Sequence, residues 1–422
     1  MTLALALLPA ALLLAGFPIH LVLLSAAAAF VAFVAEMPAT VLHQAMFGGV
    51  ESFALLSVPF FLFAGEVMVR GGLAARIVAW VQALVGRVPG SLALATVGTS
   101  TVIGAMSGSS AAATATCGRL LLPPLVRQGY PRPLAAGIVA ASAGIDIVIP
   151  PSIAMILYGV TAEQSIPRLF LAGIVPGLLL AGFMAAFLLA HALLAGVKAE
   201  GSFSLARAAR ATLSCLWALG MPAIVFGGIY GGVFSPTEAA GIACVYAMLV
   251  SLLVYRDIGP RELFRIAGNS MAMTAQILVI VAAAAVFGWM LTTSGVPQAA
   301  VAWIGGFDLA PWQLLLAVNI LLLLVGCVID PASAILVLTP LLLPIVTHAG
   351  VDPIHFGIIM TVNLSIGMFT PPFGLNLFIL QSMFRIPVGE LYRGVLPFIA
   401  VQCAALACIT YIPSLSLWLG GG

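Results

Sequence analysis

The side chains and backbone groups best suited to chemistry in this chain gather around two proline pairs. Ser107, Ser109 and Ser110 stand in the stretch Gly104-Ala105-Met106-Ser107-Gly108-Ser109-Ser110, and Asp146 comes shortly before Pro150-Pro151. A second group places Asp330 in Gly326-Cys327-Val328-Ile329-Asp330-Pro331 and Thr370 immediately before Pro371-Pro372. Proline lacks a backbone N–H and bars a continuous helix, so carbonyl oxygens around Gly144 to Ile149 and Ser365 to Thr370 are expected to lose their intrahelical partners. Oxygens at the C-terminal end of a half-helix carry partial negative charge and suit Na⁺, while an N-terminal end attracts an anionic group. Ser107, Ser109, Ser110 and Thr370 add hydroxyls. The chemistry indicated is therefore ion coordination, with one cation site for each group. Catalysis has no support: no Ser/His/Asp set or phosphate loop is discernible, and the five histidines show neither HExxH nor any other ligand spacing, which also excludes a zinc or haem site.

Such residues must be held by elements lying inside a membrane. The chain has 422 residues, of which 63% are hydrophobic and 7% charged, and its mean hydropathy is +1.22. Soluble domains sit near roughly 45–50% apolar and about 25% charged. With 15 Lys+Arg and 13 Asp+Glu, the chain cannot cover a globule with solvated groups, so it reads as an all-α polytopic membrane protein of roughly 11 spans surrounded by membrane lipid. Charge-free runs include residues 1–35, 169–197, 211–237, 266–307, 309–329, 331–351, 353–384 and 394–422. These are far longer than the alternating strands of a transmembrane barrel. The net charge of +2, with no basic run, excludes a nucleic-acid partner. Six cysteines form no CxxC pair and sit in apolar runs, as buried small hydrophobes would. The start, MTLALALLPAALLLAG, lacks a basic n-region, and the first Lys or Arg is Arg70, so a retained first helix is expected rather than a signal peptide. Lys198, Arg207 and Arg210 form one basic loop; Arg256, Arg261 and Arg265 form another. Two spans turning near Ser235-Pro236 put both loops on the cytoplasmic side.

The 43 glycines and 27 prolines require broken helices, and an internal repeat says where. A shift of 221 positions sets Pro123 on Pro344, Gly129 on Gly350, Pro150 on Pro371 and Pro151 on Pro372, and brings LLPPLV (121–126) close to LLLPIV (341–346). Each half then reads as a re-entrant hairpin followed by a helix broken at Pro-Pro, a pattern tolerated in a membrane only where protein or a cavity surrounds it. The expected organisation is an N-terminal scaffold over 1–90 and a first repeat core over 91–197, with its hairpin tip at 104–110 and broken helix at 134–159. Loop, scaffold and connecting helices fill 198–310. A second core covers 311–384, with tip 326–331 and broken helix 354–384, and a C-terminal span covers 385–422. Three crossings are expected between the repeats, which would invert the second relative to the first. Short interrupted segments at matching places in two halves point to a transporter's binding site. The two acids read either way. A membrane carboxylate is a functional candidate, yet Asp330 could equally be an N-cap with Pro331 at N1. Glu66 and Glu238 fit helix-end or interhelical bonds better than ligation.

The motifs VPFFLFAGEVM (58–68), SGSSAAATA (107–115), IPPSIAMILYG (149–159), LFLAGIVPGLLL (169–180), GGIYGGVFSPTEAAG (227–241), DPASAILVLTPLLLPIV (330–346), GVDPIHFGIIM (350–360) and NLSIGMFTPPFGLNLF (363–378) resemble the large membrane subunit of tripartite ATP-independent periplasmic (TRAP) transporters. The resemblance spans nearly the whole chain. It implies a sodium-driven secondary transporter of the bacterial or archaeal cytoplasmic membrane, with an elevator-type transport domain, that takes a small organic acid from a periplasmic substrate-binding protein. It further implies a separate four-helix membrane subunit as partner, and no cofactor beyond Na⁺ as coupling ion. Carried over by motif, sodium site 1 comprises Ser107, Ser110, Gly144, Val148 and Pro150. Site 2 comprises Gly326, Gly367 and Thr370 with Asp330 close by. Ser109, Asp146, Pro151, Pro371 and Asn376 are the substrate-facing candidates. One departure stands out: family members often read Gly-Pro where this chain has Gly144-Ile145-Asp146. The competing readings are a symporter of the divalent-anion type that works without a binding protein, and a re-entrant-loop ion channel.

Overall fold

The computed structural model describes residues 8, 9, 11–13, 15–197 and 204–420, and every regular element among them is helical. Most of the expected first helix, and Lys198 of the first basic loop, lie outside the described residues. Helices α1 (Ile19–Phe33), α2 (Thr40–Val50), α3 (Ser57–Arg70) and α4 (Leu73–Val85) lead into a hairpin of α5 (Ser91–Ser107) and α6 (Ser110–Arg127). The first broken helix follows as α7 (Arg132–Gly144), a 3₁₀ turn over Ile145–Ile147 and α8 (Ile153–Thr161), and then comes α9 (Ile166–Leu194). Four helices connect the halves: α10 (Leu205–Tyr230), α11 (Pro236–Leu249) prolonged by a π turn, α12 (Pro260–Thr293) and α13 (Val296–Gly305). The second half repeats the order with hairpin α14 (Pro311–Gly326) and α15 (Pro331–His348), broken helix α16 (Pro353–Gly367) and α17 (Leu375–Phe384), and α18 (Val388–Tyr411). A short α19 (Ser414–Gly420) closes the described chain.

Local sequence accounts for the ends of these elements. Both hairpins finish with glycine in the left-handed region, Gly129 at φ +97° and Gly350 at φ +84°. In each, the following N–H reaches back five residues, Tyr130 to Leu125 and Val351 to Val346, which closes the helix C-terminus. Ser235 and Glu238 form a reciprocal capping box at the start of α11, so Glu238 does helix-end work. Glu66 pairs with Arg70 one turn along α3, at 2.9 Å. Arg76 on α4 pairs with Asp257, and the Tyr255 hydroxyl donates to the Ser214 carbonyl of α10. These contacts gather the basic segments around Arg210 and Arg256 on one side of the molecule.

Among the described residues seven helices are long and apolar enough to cross a membrane, and four of them (α9, α10, α11 and α12) lie between the broken helices, where the sequence reading has three. The additional one is α12. Its first turns carry Arg261, Glu262 and Arg265, and most of the rest falls in the charge-free run 266–307, which the sequence reading gives to connecting helices and leaves out of the three crossings. With 34 residues, α12 rises roughly 50 Å at 1.5 Å per residue, enough to pass both hairpins. A cavity beside hairpin 1 is lined by Glu262 and Arg265 from its N-terminal end, whereas a cavity beside hairpin 2 is lined by Val281 to Thr292 from its C-terminal end. The hairpins thus approach this helix from opposite ends.

The halves are packed crosswise. The second arm of hairpin 1, α6, lies on α17 of the second broken helix, and the second arm of hairpin 2, α15, lies on α8 of the first. Helices α7 and α18 come closest: a Cβ on Gly394 would stand 2.0 Å from the Pro133 carbonyl oxygen, and one on Gly137 would stand 2.2 Å from that of Gly394. Gly389, on the same α18, has nothing within 4 Å of its Cβ position. Overpacking costs about 1–3 kcal/mol, while Gly to Ala in an unobstructed helix gains roughly 0.5–1 kcal/mol. Gly394→Ala should therefore lower the thermal unfolding temperature of the detergent-purified protein, and Gly389→Ala should leave it level or raise it. Equal shifts for the two would refute this packing.

Candidate ion and substrate site

At the tip of hairpin 1 the helix runs further than the glycines suggest. Gly104 to Ser107 remain helical, and the turn is confined to Gly108 and Ser109, narrower than the expected 104–110. Gly108 takes φ +56°, open to glycine without strain, and Ser109 caps α6 by accepting from the Ala112 N–H at 3.4 Å. Ser109, expected to face substrate, is therefore occupied in starting its own helix. The tip rests on the break of its own repeat. A Cβ on Gly104 would stand 2.6 Å from the Asp146 Cα, and one on Gly108 would stand 2.7 Å from the Pro151 carbonyl oxygen. Ser107 and Ser110 are buried at this crossing.

The backbone at the breaks is only partly free, a correction to the sequence reading. The first break winds through a 3₁₀ turn in which the Ile145 carbonyl accepts from the N–H groups of Val148 and Ile149. The Gly144 carbonyl accepts from the Ser365 hydroxyl of the opposite broken helix at 2.7 Å. In the second break, Gly367 accepts from the Thr370 N–H, and Thr370 accepts from the Gly374 N–H. Carbonyls without a hydrogen bond among the described residues include those of Asp146, Ile147, Ile149 and Phe369 and, beside them, three others: Val148 and Pro150 in the first half and Gly326 in the second. These three belong to the two sodium sites carried over by motif. Gly326 and Gly367 are in close backbone contact, since a Cβ on Gly367 would meet the Gly326 carbonyl carbon and oxygen at 2.4 Å. Thr370 donates its hydroxyl to Ile366 at 2.7 Å and keeps its lone pairs available. The structure thus brings Gly326, Gly367 and Thr370 around one tip and break. Asp330 sits beyond them at the mouth of α15, accepting from the Ser333 N–H at 3.0 Å and from its hydroxyl; of its two readings the N-cap is the one observed.

Asn376 joins the two halves. Fully buried, it donates to Ser110 Oγ at 2.8 Å and to the Ala140 carbonyl at 3.1 Å, so the start of α17 is tied to hairpin 1 and to α7. It is a buried bridge between the two halves. Ser365 enters the sequence reading only through its backbone, and its hydroxyl bond to the Gly144 carbonyl is what that reading lacks. The signal was present, because the 221-residue shift that aligns the proline pairs also sets Gly144 on Ser365.

A family model described as the DctM component of the tripartite ATP-independent periplasmic transporter matches residues 6–415. The chain belongs to this family. The C4-dicarboxylate TRAP large permease DctM of Pseudomonas aeruginosa is 40% identical over 374 residues, 88% of each chain. The ectoine/5-hydroxyectoine TRAP large permease UehC of Ruegeria pomeroyi is 36% identical, covering 97% of this chain and 96% of its own. The isethionate TRAP permease DctMQ of Oleidesulfovibrio alaskensis is 38% identical over 97% of this chain, which spans 65% of that longer relative. Among solved structures, the YdaH transporter of Alcanivorax borkumensis aligns over 96% of this chain and 97% of its own, with a TM-score of 0.65 and 17% identity, a likeness of fold.

Asp146 lies in the first break of this TRAP permease. Its side chain is wholly enclosed, with neither carboxylate oxygen hydrogen-bonded. It stands between Gly104 of α5 and the face of α6 that carries Cys117, not on an open surface. Pro151 is buried and Pro371 half-buried, so the second break is the more open of the two. The Ser110–Asn376 bridge yields a direct test. A net hydrogen bond is worth about 0.5–1.5 kcal/mol, and partners in contact do not add. Ser110→Ala and Asn376→Ala should each lower thermal stability, with the double variant destabilised by less than the sum. Strict additivity would show that the two side chains do not interact.

Proposed function

We propose that this TRAP permease uses a sodium gradient to carry a small organic acid across the cytoplasmic membrane, taking it from a periplasmic binding protein. The observation that carries this reading is that each hairpin tip rests on the break of its own half, with carbonyls of Val148, Pro150 and Gly326 lacking partners there. Carbonyl and hydroxyl oxygens without competing donors suit a hard monovalent cation. Site 1 would take Ser107, Ser110, Gly144, Val148 and Pro150, and site 2 Gly326, Gly367 and Thr370. The halves are read as inverted repeats, in keeping with their recurring helix order and their approach to α12 from opposite ends; with the first broken helix counted beside α9, α10, α11 and α12, five crossings, again an odd number, separate the two hairpins. Helices α5–α9 and α14–α18 then form the moving core of an elevator, and α1–α4 with α10–α13 its brace.

A small four-helix membrane subunit completes the brace, in line with the longer DctMQ relative. The relatives' printed substrates, a C4-dicarboxylate and isethionate among them, support an acidic solute as cargo. Basic groups gathered around Arg76, Arg210 and Arg256 mark the cytoplasmic face of the inner membrane. In proteoliposomes holding the permease, its small subunit and the cognate receptor, uptake should require both inward-directed sodium and the receptor. Ser110→Val and Thr370→Val should each raise the sodium concentration for half-maximal uptake about tenfold, the effect of losing roughly 1.4 kcal/mol of ligation. Uptake indifferent to sodium would refute the coupling, and full uptake without receptor would favour the divalent-anion type of symporter.

A further inference from the structure

A cavity of about 550 Å³ opens between hairpin 1 and the brace, where α6 faces α3, α4 and α12. Its charged lining consists of Glu66, Arg70, Arg119, Glu262 and Arg265. Four of these neutralise one another on the brace side. Arg70 pairs with Glu66 at 2.9 Å and with Glu262 at 3.6 Å, and Arg265 pairs with Glu262 at 2.6 Å. Arg119, alone on the hairpin side, makes no ion pair or hydrogen bond among the described residues, so the cavity carries one surplus positive charge. Leading to it from the tip are Ala112, Ala115 and Thr116, which with Arg119 fall on one face of α6 at helical spacing. This face starts one turn from Ser109 and covers roughly 10 Å at 1.5 Å per residue. The volume lies in the range of pockets that hold small molecules. Orientation follows from the arginines: Arg70 and Arg265 lie on the side of the basic loops, and no Lys or Arg occurs between Arg265 and Arg385, the stretch that builds hairpin 2.

We infer that this cavity is the cytoplasmic release vestibule for an organic anion and that Arg119 holds the anion's carboxylate there. The inference rests on the proposed transport function and adds to it a site and a sidedness. A guanidinium with its fork of donors unused matches a carboxylate, and an ionised partner makes such a bond about twice as strong as a neutral one. The balanced network opposite gives the anion no second cation to be trapped by, as release requires. Small side chains at Ala112, Ala115 and Thr116 leave room along the hairpin for the solute to pass from the tip.

The test uses Thr116→Cys in the full permease with its small subunit, in inside-out membrane vesicles, labelled by a membrane-impermeant maleimide with the labelling of the native cysteines subtracted. Succinate and a set of other mono- and dicarboxylates, present at graded concentrations, should slow labelling. Neutral solutes of the same size should not. Adding Arg119→Gln should raise the protecting concentration about tenfold, as loss of one charge-assisted bond would, and Arg119→Lys should recover part of it. Labelling indifferent to every carboxylate, or protection unchanged by Arg119→Gln, would overturn the vestibule. Sodium-driven uptake is measured separately on the native complex. Uptake without protection refutes this inference alone, whereas protection without uptake refutes the transport reading and leaves an anion site.

Discussion

A helix interrupted inside a membrane exposes backbone groups that hydrocarbon cannot satisfy, and the architecture of this protein follows from covering two such interruptions. Both breaks are met in two ways, and the first in a third as well. Tight turns consume several orphan carbonyls, as at Ile145 and Gly367. The tip of the hairpin from the same half presses on the break, through Gly104 and Gly108 in one case and Gly326 in the other. The opposite half supplies side chains, with Ser365 reaching the Gly144 carbonyl and Asn376 reaching that of Ala140. The second half thus completes the first break, and at the level of whole helices the halves pack crosswise, α6 on α17 and α15 on α8.

Glycine makes that coverage possible, and it is distributed differently in the two halves. In the second, Gly326 and Gly367 face each other and the backbones nearly touch. The position of Gly367 corresponds, under the 221-residue shift, to Asp146 in the first half. There the space is given up by Gly104 alone, and the carboxylate occupies it. The contact geometry is thus kept while one partner changes from a hydrogen atom to an acid. The first crossing is closed over by buried side chains; the second, with Thr370 and Pro371 half-buried and Pro372 exposed, is the looser.

The proline pairs and the constant offset between them made the breaks, the hairpins and the two-fold recurrence legible in the sequence, because proline acts on its own backbone and needs no knowledge of neighbours. The contacts that join the halves were less legible. Helix α16 is buried from Ile354 to Gly367 on every side, so it has no apolar stripe whose direction would reveal its partners. Asn376 and Ser110 are 266 positions apart, and no local pattern connects them. For α12 the charge-free run 266–307 shows an apolar helix, but with Arg261, Glu262 and Arg265 in its first turns nothing local says that it crosses between the repeats. Asp330 had two readings of equal standing, and only the position of Ser333 resolved them toward capping.

The same constraint supplies a physical basis for coupling on the proposed reading. A core whose carbonyls at Val148, Pro150 and Gly326 have no donor carries a desolvation cost wherever it is shielded from water, and moving it through the membrane incurs that cost in transit. A cation bound at each tip removes it by giving those oxygens a ligand. An anion beside the helix N-termini at Ser110 and Leu375 then meets partial positive charge on the protein and full positive charge on the ions. Ion and substrate therefore stabilise the same compact arrangement, so the loaded core is the form best suited to cross. On the cytoplasmic side the pull on the anion passes to a single surplus arginine facing a neutralised wall, weak enough for release. The direction of transport is then set by the sodium gradient, because the ions leave from the same tips they entered and the carbonyls regain water only where the cavity is open.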